Sequence, residues 1–202
     1  MNRDSGDSFE IILFDLGGVL IELGEKPFQH AGKQINAQSW HNLSSAMAFE
    51  KGLLSPHEFA KSIQKELKLE EDIDSIIQQF TAWPVGFYEG VQPLLHQLKN
   101  QFEVYALTNT NELHWPRLIE EFKLEEYFLQ VFSSHLLQLA KPDPAIFQVV
   151  LRSLDKQPQQ ILYFDDNASN IEVARQLGFH AVQVEGFEQL TEALDRLSLT
   201  HA

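Results

Sequence analysis

The sequence contains no cysteine. Disulfides, a thiolate nucleophile and cysteine-bound zinc are excluded, so any metal must be held by oxygen or imidazole ligands. Positive charge is also scarce: 15 Lys and Arg stand against 29 Asp and Glu, a net charge of −14. That is the wrong sign for neutralising nucleic-acid phosphates, and nucleic acid is not an expected partner. Nor does any stretch approach the roughly 18 consecutive apolar residues of a membrane span. Residues 1–10 are polar and acidic rather than a basic segment leading into an apolar one. No membrane partner is expected, and the reading is cytoplasmic.

What is present suits a folded domain. Apolar residues make up 44% of the chain and charged residues 22%, near the averages for globular domains. A length of 202 residues fits one core with room for a small insert. Residues 9–14 form a buried-strand pattern ending in Asp15 and the pair Gly17-Gly18. Similar runs at 102–107, 160–164 and 181–184 end in Thr108-Asn109-Thr110-Asn111, in Asp165-Asp166-Asn167 and near Glu185. Helical patterns at 91–99, 144–154 and 169–177 lie between the later strands, which predicts an α/β fold with a parallel, doubly wound sheet. Ligands bind such sheets at the carboxyl ends of the strands.

From about residue 27 to 85 the pattern is helical with no convincing strand. The expected organisation is a core of residues 1–24 and 86–202 with a helical cap inserted at 25–85. Ser55-Pro56-His57-Glu58 is a capping box, Asp143-Pro144 pairs an N-cap with proline at the first helical position, and Gly178 marks a helix end. Phe80, Trp83, Phe87 and Tyr88 are expected to pack cap against core.

The polar groups past the strands have the chemistry that phosphoryl transfer through an aspartate requires. The Asp15 carboxylate can attack phosphorus to form an acyl phosphate. Gly17 and Gly18 allow close backbone approach to a phosphate and a metal. Thr108 can donate to a phosphoryl oxygen, Lys141 can neutralise charge on nucleophile and transferred group, and Asn109 can orient the phosphate or its loop. Asp166, with Asp165 directly or through water, can hold Mg²⁺, which prefers octahedral oxygen ligation. Taken singly each has a plain structural alternative: Asp15 and Asp165-Asp166 as turn residues, Asn167 or Asn170 as a helix cap, Lys141 as a solvated side chain.

Their order and spacing point further. Phe14-Asp15-Leu16-Gly17-Gly18-Val19-Leu20, Leu107-Thr108-Asn109, Lys141-Pro142 and Phe164-Asp165-Asp166-Asn167-Ala168-Ser169-Asn170-Ile171 resemble, in sequence order, the four motifs of the haloacid dehalogenase-like hydrolases. Phe49-Glu50-Lys51-Gly52-Leu53-Leu54-Ser55 and Thr108-Asn109-Thr110-Asn111-Glu112-Leu113-His114 are similar to the small-capped branch that includes a bacterial α-glucose-1-phosphate phosphatase. The resemblance implies a Rossmann-like core, an inserted helical cap, Mg²⁺ as cofactor and a small phosphorylated metabolite, such as a sugar phosphate, as substrate. It also implies that Asp15 is the nucleophile and that the Gly17 carbonyl joins Asp15, Asp166 and Asp165 around the metal.

One position departs from the pattern. Most phosphatases of this superfamily carry a second aspartate two residues after the nucleophile, which protonates the leaving alcohol and activates water; here that position is Gly17. A positioned acid or base contributes about 10²- to 10⁴-fold. Either another group takes the role, or turnover is slow, or the leaving group needs no proton. His30, His41, His57, Glu50 and His114 are the candidate replacements. Two rival readings follow: a metal-independent displacement at carbon, as in the dehalogenases, which the Asp165-Asp166 pair argues against, and a non-catalytic phospho-ligand binder or regulatory protein.

Overall fold

The computed structural model describes residues 9–24, 28, 40 and 43–199. Its centre is a five-stranded parallel sheet of β1 (Ile11–Phe14), β4 (Glu103–Thr108), β5 (Val131–Ser133), β6 (Ile161–Asp165) and β7 (His180–Gln183), in the order β5-β4-β1-β6-β7. Every residue of β1 is buried, as a strand covered on both faces requires. Its side chains alternate between two apolar clusters: Ile12 and Phe14 enter one with Leu95, Val104 and Leu194. Ile11 and Leu13 enter the other with Phe147, Val150 and Tyr163.

Helices cover the faces. Among them α4 (Val91–Leu98), α7 (Pro144–Leu154), α8 (Ala168–Gln176) and α9 (Gly186–Arg196) follow β-strands in sequence or lead into the next. The expected α/β sheet and its helices are therefore present. The helix ends agree in detail: Asp143 caps the amino end of α7 by accepting from Ala145 N at 2.9 Å, and beyond the carboxyl end of α8 the Gly178 N–H reaches the Arg175 carbonyl at 3.0 Å.

Three short strands lie beyond the sequence reading. β5 has only three residues and sits at the sheet edge. β2 (Ile21–Leu23) and β3 (Pro84–Phe87) pair antiparallel as a separate ribbon, so the chain around residue 85 is strand where helix was expected. Gly24 and Trp83 close the ribbon with two bonds, Gly24 N to the Trp83 carbonyl at 2.9 Å and Trp83 Nε1 to the Gly24 carbonyl at 3.1 Å.

Beyond this ribbon lies the inserted small helical cap: α1 (Ser44–Glu50), α2 (Pro56–Leu67) and α3 (Ile73–Thr81). The capping box at α2 is formed in both directions between Ser55 and Glu58. The cap has its own apolar cluster, with Trp40, Phe49, Phe59, Ile63, Ile76 and Phe80. Phe80 and Trp83 pack there, whereas Phe87 and Tyr88 pack on the sheet's cluster. Phe80 and Trp83 meet the core as expected, with ring centroids 4.4 and 6.4 Å from that of His114, whereas Phe87 and Tyr88 belong to the core's own packing.

Candidate active site

β1, β4 and β6 are adjacent and in register, Phe14 lying opposite Ala106 on one side and Phe164 on the other. The residues that follow are therefore brought to one level. Asp15 continues β1 with its N–H on the Phe164 carbonyl at 2.8 Å, while Thr108 ends β4 and Asp165 ends β6. Asp15, Gly17, Thr108, Asn109, Lys141 and Asp166 line a single cavity.

Lys141 is the hub. Its side chain is 1% exposed, and Nζ donates to Asp15 Oδ1 at 2.9 Å, Asp165 Oδ2 at 2.7 Å and the Leu107 carbonyl at 2.9 Å. An ammonium has three hydrogens, and each has an acceptor. Burial works against the charge, but Asp15 and Asp165 outweigh it and hold the ammonium above the ordinary lysine range. The solvated-lysine alternative is ruled out.

Asn109 does something more specific than orienting a phosphate. Its Nδ2 donates to the Lys141 carbonyl at 3.0 Å and its Oδ1 accepts from Lys141 N at 2.9 Å. The two bonds clamp the Lys141 backbone from the loop after β4. Thr108 is buried, with its hydroxyl 3.4 Å from the Asn109 carbonyl.

The paired aspartates occupy different environments. Asp165 is fully buried, and both its oxygens are taken: by Lys141, by the Tyr163 hydroxyl, by Asn167 N at 2.8 Å and by Asn170 Nδ2 at 2.9 and 3.0 Å. Those donors leave it little capacity for a metal, so its place is behind Lys141 and not on the cavity wall. Asp166 faces the cavity. Burial first, then the neighbouring Asp15 and Asp165, pushes its carboxyl up to about 7, and burial likewise pushes Asp15 up to about 6 against the pull of Lys141.

Gly18 has φ +76°, and a Cβ there would lie 2.6 Å from Asp166 Oδ2. Its lack of a side chain makes room for Asp166.

The donors around the cavity suit a hard divalent cation. Asp15 and Asp166, the two aspartates on the cavity wall, each offer an oxygen within 4.8 Å of the other, and Mg²⁺ takes oxygen ligands while retaining waters. Two carboxyls held above their ordinary range, chiefly by burial, are what a cation's charge relieves. Asn170 Oδ1, on the same wall, is buried without a hydrogen-bond partner among the described residues and so offers an acceptor for an ordered water. The helix-cap alternative belongs to Asn167, which accepts from Ser169 N at 2.9 Å.

The proton-donor candidates separate sharply. His114 uses both ring nitrogens, Nε2 with the Phe80 carbonyl at 2.7 Å and Nδ1 with Asn111 Nδ2 at 3.1 Å. Burial lowers it to about 4. It is a neutral strut between core and cap. His57 is exposed on α2, and His30 and His41 lie outside the described residues. Glu50 is buried and lines the cavity.

Sequence reasoning passed over Tyr163, whose hydroxyl is buried on Asp165. A tyrosine in an otherwise apolar strand must find a polar partner when buried, and that was the available signal. It also passed over Leu23 and Trp40, which line the cavity from the ribbon and the cap; neither carries a chemical signal.

Known proteins are similar to this chain in sequence and fold. The family model described as haloacid dehalogenase-like hydrolase matches residues 12–184. The D-ribitol-5-phosphate phosphatase of Bacteroides thetaiotaomicron is 30% identical over 195 residues, covering 86% of this chain and 91% of that protein. The sesquiterpene phosphatase of Aspergillus oryzae is 25% identical over 178 residues, covering 85% of this chain and 87% of its own. A crystal structure of a haloacid-dehalogenase-family enzyme from Bacteroides thetaiotaomicron, in complex with magnesium and inorganic phosphate, superimposes with a TM-score of 0.73 at 30% identity, covering 88% of this chain and 94% of that one. With all four motifs in order and the match spanning the sheet and its insert, the chain belongs to the haloacid dehalogenase-like hydrolases.

Proposed function

We propose that this enzyme is a Mg²⁺-dependent phosphatase that hydrolyses a small phosphorylated metabolite through an aspartyl phosphate on Asp15. The observation that carries the reading is the buried Lys141 ammonium, 2.9 Å from Asp15 Oδ1 and anchored from behind by Asp165. A carboxylate fixed at one oxygen and facing a cavity is oriented for in-line attack, and the ammonium beside it offsets the charge of an incoming phosphoryl group. Asp15, Asp166 and the Gly17 carbonyl would hold Mg²⁺, which when bound supplies charge neutralisation at the phosphoryl oxygens. Thr108 donates to a phosphoryl oxygen, Asn109 keeps Lys141 in place, and Asp165 acts through Lys141. Asp166, paired with Asp15 across the cavity, favours this chemistry over displacement at carbon.

A phosphorylated polyol or sugar is the substrate class favoured by the relative that acts on D-ribitol 5-phosphate. The direct test is release of inorganic phosphate from p-nitrophenyl phosphate and from a panel of polyol and sugar phosphates, with and without Mg²⁺. Asp15→Asn is expected to abolish release. Undiminished turnover by that variant would overturn the mechanism.

A further inference from the structure

The usual acid/base aspartate is replaced by Gly17, yet a carboxyl does reach the cavity, from the other body. Glu50 is the last residue of α1, buried at 6% exposure, and lines the cavity with Asp15, Gly17 and Lys141. Its two oxygens are treated differently. Oε1 accepts from Trp40 Nε1 at 2.8 Å, while Oε2 is buried and has no hydrogen-bond partner among the described residues. A buried, unpaired carboxyl oxygen is costly. Such a cost is sustained where the atom has a partner during function.

The turn that carries Glu50 is also pinned to the core. Gly52 has φ +66°, and a Cβ there would lie 2.6 Å from the His135 carbonyl oxygen, so only glycine lets the turn approach this closely.

We propose that Glu50 is the proton-transfer residue of this enzyme, supplied by the cap in place of the carboxylate missing at position 17. The assignment rests on the phosphatase reading of Asp15. In the first step the Asp15 oxygen bonds to phosphorus, the bond from phosphorus to the leaving oxygen breaks with its electron pair, and that oxygen takes the Glu50 proton to depart as an alcohol. In the second step water bonds to phosphorus and gives a proton to the Glu50 carboxylate. The Asp15–phosphorus bond breaks with its pair returning to Asp15, and Glu50 ends protonated as it began.

The protonation state fits. Burial pushes the Glu50 carboxyl up to about 7, against the pull of the Trp40 indole, the Lys141 ammonium and the Asn109 amide, with the Asp15 charge adding to the rise. His114, on the same wall, stays neutral, and among the described residues Asp166 is the remaining acid lining the cavity. An acid near neutrality suits both directions of transfer.

Leaving-group dependence tests the assignment. p-Nitrophenolate departs without a proton, whereas an alkyl alcohol does not. Glu50→Gln, with Mg²⁺, is expected to lose about 10²- to 10⁴-fold on an alkyl phosphate. On p-nitrophenyl phosphate it should release one nitrophenolate per enzyme in a burst, then stall as a phosphoenzyme visible by intact mass. Glu50→Asp, which keeps the acid but withdraws it by one methylene, should show the same discrimination at smaller amplitude and serves if the glutamine variant does not fold. Parental rates in both variants, or equal slowing on both substrates without a burst, would overturn the role of Glu50 alone. If the parent releases phosphate from neither substrate, or Asp15→Asn retains its activity, the phosphatase reading fails and this role fails with it.

Discussion

Lys141 Nζ sits between Asp15 Oδ1 at 2.9 Å and Asp165 Oδ2 at 2.7 Å, so one buried cation serves a carboxylate that faces the cavity and another that does not. Removing it would leave two buried acids without their counter-charge. Lys141→Met is expected to abolish phosphate release and to cost on the order of 3–5 kcal/mol, the usual penalty for breaking a buried pair from one side. Urea unfolding at pH 8 reads the second effect. A variant as stable as the parent would mean that Lys141 does not hold these carboxylates together.

Metal binding has a signature independent of catalysis. If Asp15 and Asp166 hold Mg²⁺, the ion binds the folded chain and raises its stability by about 2.7 kcal/mol at a hundredfold excess over Kd. Thermal unfolding of the parent should therefore shift upward with Mg²⁺, and that of Asp166→Asn should shift far less. An equal shift in both proteins would place the ion elsewhere.

The sheet was legible because β1, β4 and β6 are continuous apolar runs that end abruptly in polar residues, the pattern of strands buried on both faces. β2, β3 and β5 were not legible: β2 and β5 have only three residues each, too few to show a period, and β3 contains Pro84 and Gly86, which read as breakers. Within the site, residue type and order located Asp15, Thr108, Lys141 and Asp166. They favoured Asp166 over Asp165 as the direct ligand without showing what occupies Asp165, because that depends on which donors fold around it. Glu50 could only be offered beside four histidines, since the contact of α1 with the core depends on tertiary approach at Gly52.

Glu50 and His114 impose opposite pH dependences on stability. Glu50 is raised from 4.5 to about 7, so the folded chain keeps a proton that the unfolded chain releases. Its contribution is present below pH 4.5 and lost as pH rises towards 7. His114 is lowered from 6.5 to about 4; its contribution is present above pH 6.5 and lost as pH falls towards 4. Glu50→Gln removes the first slope. Relative to the parent, that variant should gain roughly 3 kcal/mol between pH 4.5 and 7.5 in metal-free urea titrations. A difference constant across that range would show that Glu50 does not titrate in this way.

Gly52 joins the cap's geometry to the chemistry. Two separate constraints act there: a left-handed backbone, φ +66°, and a Cβ position 2.6 Å from the His135 carbonyl oxygen. Asparagine tolerates the first far better than alanine but carries the same Cβ. If close approach is what sets Glu50 in the cavity, Gly52→Ala and Gly52→Asn should both turn over alkyl phosphates at least tenfold more slowly, by analogy with the loss from small misplacements of catalytic groups. Both should still release the first p-nitrophenolate at the parental rate, because Asp15 and Lys141 lie in the core and are undisturbed. Recovery of the alkyl rate by Gly52→Asn would instead assign the glycine to backbone conformation alone and leave the placement of Glu50 independent of the contact with His135.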